Sequence, residues 1–234
     1  MTLRNLKNQA KKASNPKRKK TNEWFFKTGK GQYGEGDKFI GISMPDVRII
    51  AKDNLDLSIK EVEKLLQSAI HEHRMIALVI WTYQYEKADE QLKKKIYKTY
   101  LKNTKKINNW DLVDVTTPNI MGKWLLDKKS ERKLLYKLAK SKSLWEKRIA
   151  ILATYPFIRN KDFRDTLKLA KLYLNESHDL MHKATGWMLR EIGKKQEKAL
   201  TKFLDKHYKI MPRTMLRYSI ERLSIKQRWH YMKK

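Results

Sequence analysis

Apolar residues recur along this chain at helical spacing. After Ser58, the residues Ile59, Val62, Leu65, Leu66 and Ala69 fall on one stripe, the mark of a helix with one buried face. Leu134, Leu135 and Leu138 repeat the pattern. Ser58 with Glu61, and Ser143 with Glu146, match the capping box that satisfies two orphan donors at a helix start. Only a short stretch, FIGIS at Phe39 to Ser43, alternates as a half-buried strand would. Eight glycines and five prolines in 234 residues predict long helices with short joints, and five of those glycines (Gly29, Gly31, Gly34, Gly36, Gly41) fall together.

A longer period overlies the helical one. HEHRMIALVIW, SLWEKRIAIL, DLMHKATGWML and PRTMLRYSIERL each carry a basic residue just before or within an apolar run: Arg74, Arg148, Lys183 and Arg217. Arg74 and Arg148 are two steps of 37 residues apart, with Asp111 at the midpoint, and the next steps are 35 and 34. Helical hairpins repeating at this length are the signature of HEAT-like α-solenoids. One hairpin cannot bury its own apolar face, so neighbours stack and a concave surface results. The expected fold is therefore all-α: an α-solenoid of HEAT-like helical hairpin repeats with a concave basic face. A short hairpin or loop insert is expected near residues 28–42. Residues 1–20, with eight basic residues and no acid, read as a basic N-terminal arm, either frayed or an ordered contact helix. Residues 21–234 read as a single repeat domain.

Charge narrows the partner. Fifty-four Lys and Arg against 25 Asp and Glu give +29. Codon bias can exchange Arg for Lys, but it does not create such an excess over acids. A polyanion follows, nucleic acid ahead of a membrane surface. With no cysteine, disulfide scaffolds, zinc fingers, iron–sulfur sites and thiol nucleophiles are excluded. No apolar run approaches the ~20 residues that span a bilayer. The amino terminus lacks the apolar core of a secretory signal, so a cytoplasmic, nucleoid-associated protein is expected.

Several constellations could carry chemistry. Gly29, Gly31 and Gly34 spell GxGxxG, but no strand of adequate length precedes them and no helix opens at Gly34, so a dinucleotide site is rejected. The stretch is either a flexible turn or a loop whose Lys27, Lys30 and Tyr33 touch nucleic acid. His178 and His182 have metal-ligand spacing without a third ligand, and no metal or other cofactor is expected. In NNWDLVD, Trp110 and Asp114 share a helix face at i and i+4. Spacing alone leaves them open as a core indole with a capping acid, or as a site. Arg148 is either a surface arginine or a phosphate clamp. Trp187, with Arg190 one turn on, is either core or site.

Taken in order, EWFFKTGKGQYGEGDKFIGISMP, NNWDLVD, LWEKRIAIL and HKATGWMLRE resemble the HEAT-like repeat DNA alkylation repair glycosylases, the AlkD-like branch, over roughly residues 23–225. The resemblance implies a solenoid that cups double-stranded DNA containing alkylated purines. It also implies hydrolysis of the N-glycosidic bond of N3- and N7-alkylpurines, without metal. It places Trp110, Asp114 and Trp187 in the catalytic site and Arg148 beside them. Phe25 falls where some members carry Tyr, keeping the aromatic face and losing the hydroxyl. Arg190, Lys27, Lys30, Tyr33, Phe25, Arg74 and Lys183 complete the expected DNA-binding set. A monomer with no obligate protein partner is expected. Some branches of the superfamily bind distorted or branched DNA without catalysis, which is the alternative reading.

Ordinary glycosidases need two carboxylates, and no convincing second one is visible. A purine alkylated at N3 or N7 already carries positive charge and can depart without a general acid.

Overall fold

Helices follow one another from end to end, and the described residues contain no named strand. The computed structural model describes residues 2–233; Met1 and Lys234, the outer ends of the expected arm and domain, lie outside the described residues. The chain packs as two compact units, 1–120 and 121–234. Among the described residues no helix is long and apolar enough to cross a membrane.

Unit 1 holds α1 (Leu3–Lys12), α2 (Pro16–Phe25), α3 (Met44–Asp53), α4 (Ile59–Leu66), α5 (His71–Lys87), α6 (Glu90–Lys102) and α7 (Trp110–Thr116). The first part of the basic segment is folded. Leu6 and Ala10 of α1 are fully buried and α1 packs on α3. At α4 both halves of the Ser58–Glu61 capping box form, and Ile59, Val62, Leu65 and Leu66 are buried. The stripe ends there: α4 stops at Leu66 and Ala69 lies exposed beyond it.

The centre of the unit is α5, against which α3, α4, α6 and α7 pack. It is buried from His71 through Trp81 with no polar face in that half. A helix surrounded in this way gains by pairing the polar groups it carries, because an unpaired one costs about 1–3 kcal/mol or more; Arg74 Nε and Trp81 Nε1 are left without a partner. Its first turn is HEHR, so the surroundings of α5 are built to receive two histidines, a glutamate and an arginine.

The 28–42 insert is a loop of tight turns rather than a hairpin. Its one bridge joins Lys38 to Ile70, and the His71 N–H donates to the Lys38 carbonyl at 2.8 Å. The alternating FIGIS stretch has no strand partner because a side chain takes that place. The Glu72 carboxylate accepts from the backbone N–H groups of Ile40, Gly41 and Ile42 at 3.0, 2.8 and 3.3 Å.

Unit 2 holds α8 (Lys123–Asp127), α9 (Lys133–Ala139), α10 (Leu144–Leu152), α11 (Tyr155–Arg159), α12 (Arg164–Leu172), α13 (Asp179–Lys195), α14 (Glu197–His207), α15 (Arg213–Ile220) and α16 (Ile225–Met232). Ser143 caps α10, but Glu146 turns to the Ser141 hydroxyl, which in turn accepts the Ser143 N–H, so the box is a relay through one extra serine. The central helix is α13, packed by α10, α11, α12, α14 and α15. Gly186 permits its contact with α15: a Cβ there would sit 2.5 Å from the Tyr218 Cβ and 2.6 Å from the Met215 carbonyl.

The mid-thirties period has a structural meaning. Arg74, Asp111, Arg148, Lys183 and Arg217 all fall within the first five residues of α5, α7, α10, α13 and α15. Each of these follows a partner helix, and within each unit they pack on one another as α5 on α7 and as α10 on α13 on α15. This is an all-α, helical-repeat architecture.

Candidate functional site

In unit 1, Trp110 opens α7. Asn109 caps that helix: its side-chain oxygen accepts the Trp110 N–H at 2.8 Å, and its amide donates to Asp37 at 3.2 Å. The half-buried indole lies stacked on Phe26, with ring centroids 5.2 Å apart and planes at 16°. Phe25 meets its edge at 5.8 Å. The stack continues from Phe26 to Phe39 (5.0 Å, 20°) and from Phe39 to His71 (4.5 Å, 22°). Each contact of this type is worth ~0.5–1.5 kcal/mol beyond its burial, so the column fixes the plane of Trp110.

The foot of the column is ionic. His71 Nδ1 is 3.0 Å from Asp37 and Nε2 is 2.8 Å from Asp111. Arg74 reaches the other Asp37 oxygen at 2.6 Å and the Ser68 carbonyl at 3.1 Å. A neutral imidazole donates from only one nitrogen, so two carboxylates at its two ends call for the imidazolium. Burial alone pushes His71 down, but the Asp111 charge and the bonds to Asp111 and Asp37 outweigh it, and the pKa rises to about 9. Burial likewise raises Asp37, yet the His71 and Arg74 partners prevail and hold its carboxyl below the ordinary value. Asp37, His71 and Phe26 are the residues that sequence reasoning missed. The one available signal was the polar run HEHR inside an apolar helix.

Asp114 lies half-buried one turn beyond Trp110. Burial pushes the adjacent Tyr100 phenol up to about 12; the Asp114 charge adds to this, while the Thr116 and Thr117 hydroxyls oppose it. Beside the aromatic column is a cavity of about 300 Å³, lined by Arg18, Asn22, Phe25, Phe26, Met44 and Asp111 among others.

The remaining expected contacts in unit 1 divide. Phe25 is half exposed, Lys30 is exposed, and the Tyr33 hydroxyl donates to the Phe25 carbonyl at 3.4 Å. Lys27 adopts φ +54° and sets its ammonium 4.8 Å from the Trp24 ring. Arg74 requires a correction. It is 3% exposed and committed to Asp37, so it anchors the loop and does not face DNA.

In unit 2, Arg148 is also buried, and its guanidinium donates to the Leu180 carbonyl at the start of α13. The open phosphate clamp expected from sequence is thus a buried arginine with only a small exposed edge. Trp187 is half-buried, donates to Glu191 at 3.2 Å and lies 6.1 Å from the Tyr155 ring. Arg190 pairs with Glu221, and Lys183 pairs with Asp179 at 2.8 Å. The two histidines have local partners. His178 accepts the Leu180 N–H, and His182 meets the Glu176 carbonyl. Among the described residues no group of three His, Asp or Glu side chains is placed to hold a metal ion.

An all-helical repeat fold, a charge of +29 and an indole held at a helix start beside a carboxylate define a class, the helical-repeat proteins suited to polyanions. The family can be stated too. The model of the DNA alkylation repair enzyme family matches residues 6–223, and the chain belongs to that family. No curated protein gives a significant match. Among solved structures, one described as a "Predicted DNA alkylation repair enzyme" from Enterococcus faecalis is similar with a TM-score of 0.72 and 16% identity. The match covers 91% of this chain and 97% of that one, and at this identity the likeness is one of fold.

Proposed function

We propose that this protein is a DNA glycosylase that hydrolyses the N-glycosidic bond of cationic N3- and N7-alkylpurines in duplex DNA. The observation that carries the reading is the posture of Trp110. Its indole is braced by Phe26 and Phe25 and left half-buried, with Asp114 one turn along the same helix. A purely structural core indole would gain by complete burial.

The chemistry needs few groups. The positive charge on the alkylated purine supplies the leaving-group activation that a general acid supplies elsewhere. The remaining tasks are to stabilise an oxocarbenium-like deoxyribose and to position water. Asp114 performs both as an anion beside developing positive charge. Trp110 presents a π-face to the cationic sugar and base, worth ~0.5–2 kcal/mol. Arg148, fixed at the Leu180 carbonyl, acts as a positioning residue that sets α10 against α13. The site then selects for charged lesions and leaves neutral lesions that need leaving-group protonation.

The test is base release from methylated duplex DNA by wild type and Asp114→Asn at matched salt. Release by the wild type alone is expected, with DNA binding by the variant kept or tightened because a repulsive charge is gone. No release by either protein, with tight binding retained, would replace this reading with that of a non-catalytic binder of distorted or branched DNA.

A further inference from the structure

The helix α2 has no buried residue. A helix normally holds its place by burying an apolar face; α2 is instead tied by backbone at its two ends, with Asn22 reaching Glu72 at 3.5 Å and Phe25 meeting Trp110 in between. At its start, the Asn15 N–H donates to the Ile40 carbonyl at 3.0 Å, and Gly41 packs so closely that a Cβ would lie 2.1 Å from the Asn15 carbonyl and 2.6 Å from the Lys19 nitrogen. At its end, the Gly34 N–H donates to the Lys27 carbonyl, and a Gly34 Cβ would lie 2.3 Å from the Phe26 carbonyl. The glycine-rich loop is therefore a clamp on both ends of a helix that contributes no core.

What the clamp presents is one-sided. Arg18, Asn22 and Phe25 line the cavity beside the aromatic column. Lys17, Lys20 and Trp24 recur at i, i+3 and i+7 on a different stripe, and all three are exposed. Trp24 is 71% exposed, with the Lys27 ammonium over its ring. Lys19 is engaged by Glu23 at 3.8 Å. A row of cations ending in an open indole matches phosphates followed by a base, and the neighbouring stripe of the same helix carries Phe25, which touches Trp110.

We propose that α2 is a nucleic-acid contact helix, in which Lys17 and Lys20 engage phosphates beside the lesion and Trp24 stacks on an unstacked base. The proposal rests on the reading of this protein as one that acts on DNA, though not on its being catalytic.

The experiment measures binding of wild type, Trp24→Ala and Lys17→Gln/Lys20→Gln to an intact duplex and to one with a single abasic position, across a salt series. Trp24→Ala is expected to weaken binding to the abasic duplex by roughly ten-fold or more, and to the intact duplex by less. The double lysine variant is expected to weaken both and to reduce the salt slope by about 0.9 per lost phosphate contact. All of these residues are exposed, so thermal melting should be unchanged. Wild-type affinity and slope in both variants would overturn the proposal, whatever the excision assay shows. Absence of wild-type base release with Trp24-dependent binding intact would remove the glycosylase reading and leave this one standing.

Discussion

Two histidines in the first turn of α5, His71 and His73, respond to pH in opposite senses. His71 has a pKa raised to about 9 by its two carboxylates against the pull of burial. Its contribution, on the order of 3 kcal/mol, is complete below the unfolded value of ~6.5 and is lost as pH rises through 9. His73 is lowered to about 4, first by burial and then by Lys7, and its ring meets the Ser68 hydroxyl. Its contribution is complete above ~6.5 and is lost as pH falls through 4. Stability to urea should therefore peak near neutral pH, and His71→Gln should flatten the alkaline limb. An alkaline limb unchanged in that variant would mean that His71 is not charged in the fold. None of this was readable from the chain. Asp37 and Asp111 lie 34 and 40 residues from His71, and only folding brings them together. Arg74 misled for a related reason: its period placed it correctly in a repeat, but a period says nothing about which side of the helix is covered.

At the scale of elements, local signals were the dependable ones. The capping box of α4 and its stripe from Ile59 to Leu66 are present as read, because both depend on contacts within a turn or two, whereas Ala69 lies beyond the end of the helix. The Ser224–Gln227 box of α16 follows the same rule and was equally available. The 28–42 segment was ambiguous because its order comes from partners distant in sequence, Glu72 above all. The clamp makes a prediction here. Gly41 has φ +82° and no room for a Cβ, so Gly41→Ala should release α2 while leaving the α3–α5 packing intact. Hydrogen exchange should show α2 amides losing protection, with α5 amides unchanged. Loss of protection in both would mean that α2 is part of the core.

For the whole molecule, the excess of cations sets how binding responds to conditions. Log affinity for duplex DNA should fall linearly with log salt, at about 0.9 per phosphate neutralised. A slope near zero would mean that the +29 charge serves another purpose. The helical-repeat fold was legible because its period recurs along the chain, and a polyanion partner because charge is a property of composition. The split into two compact units was not, since the period runs through residue 120 without a break and no linker composition marks it.

The loop that clamps α2 also bonds largely to itself at its tip. The Gly29 N–H bonds the Gln32 side chain, the Gly31 N–H bonds Glu35, and the Gln32 N–H bonds the Gly29 carbonyl. Lys30 stands exposed between them, in a chain without cysteine. A thiol introduced at Lys30 would be the molecule's only one, on a loop whose far end holds α2. A disulfide from that position to a thiol-tethered nucleotide would form only where DNA passes beside the loop, so its yield measures that contact. Where it forms, that single bond would turn a salt-sensitive encounter into a covalent complex, suited to crystallisation.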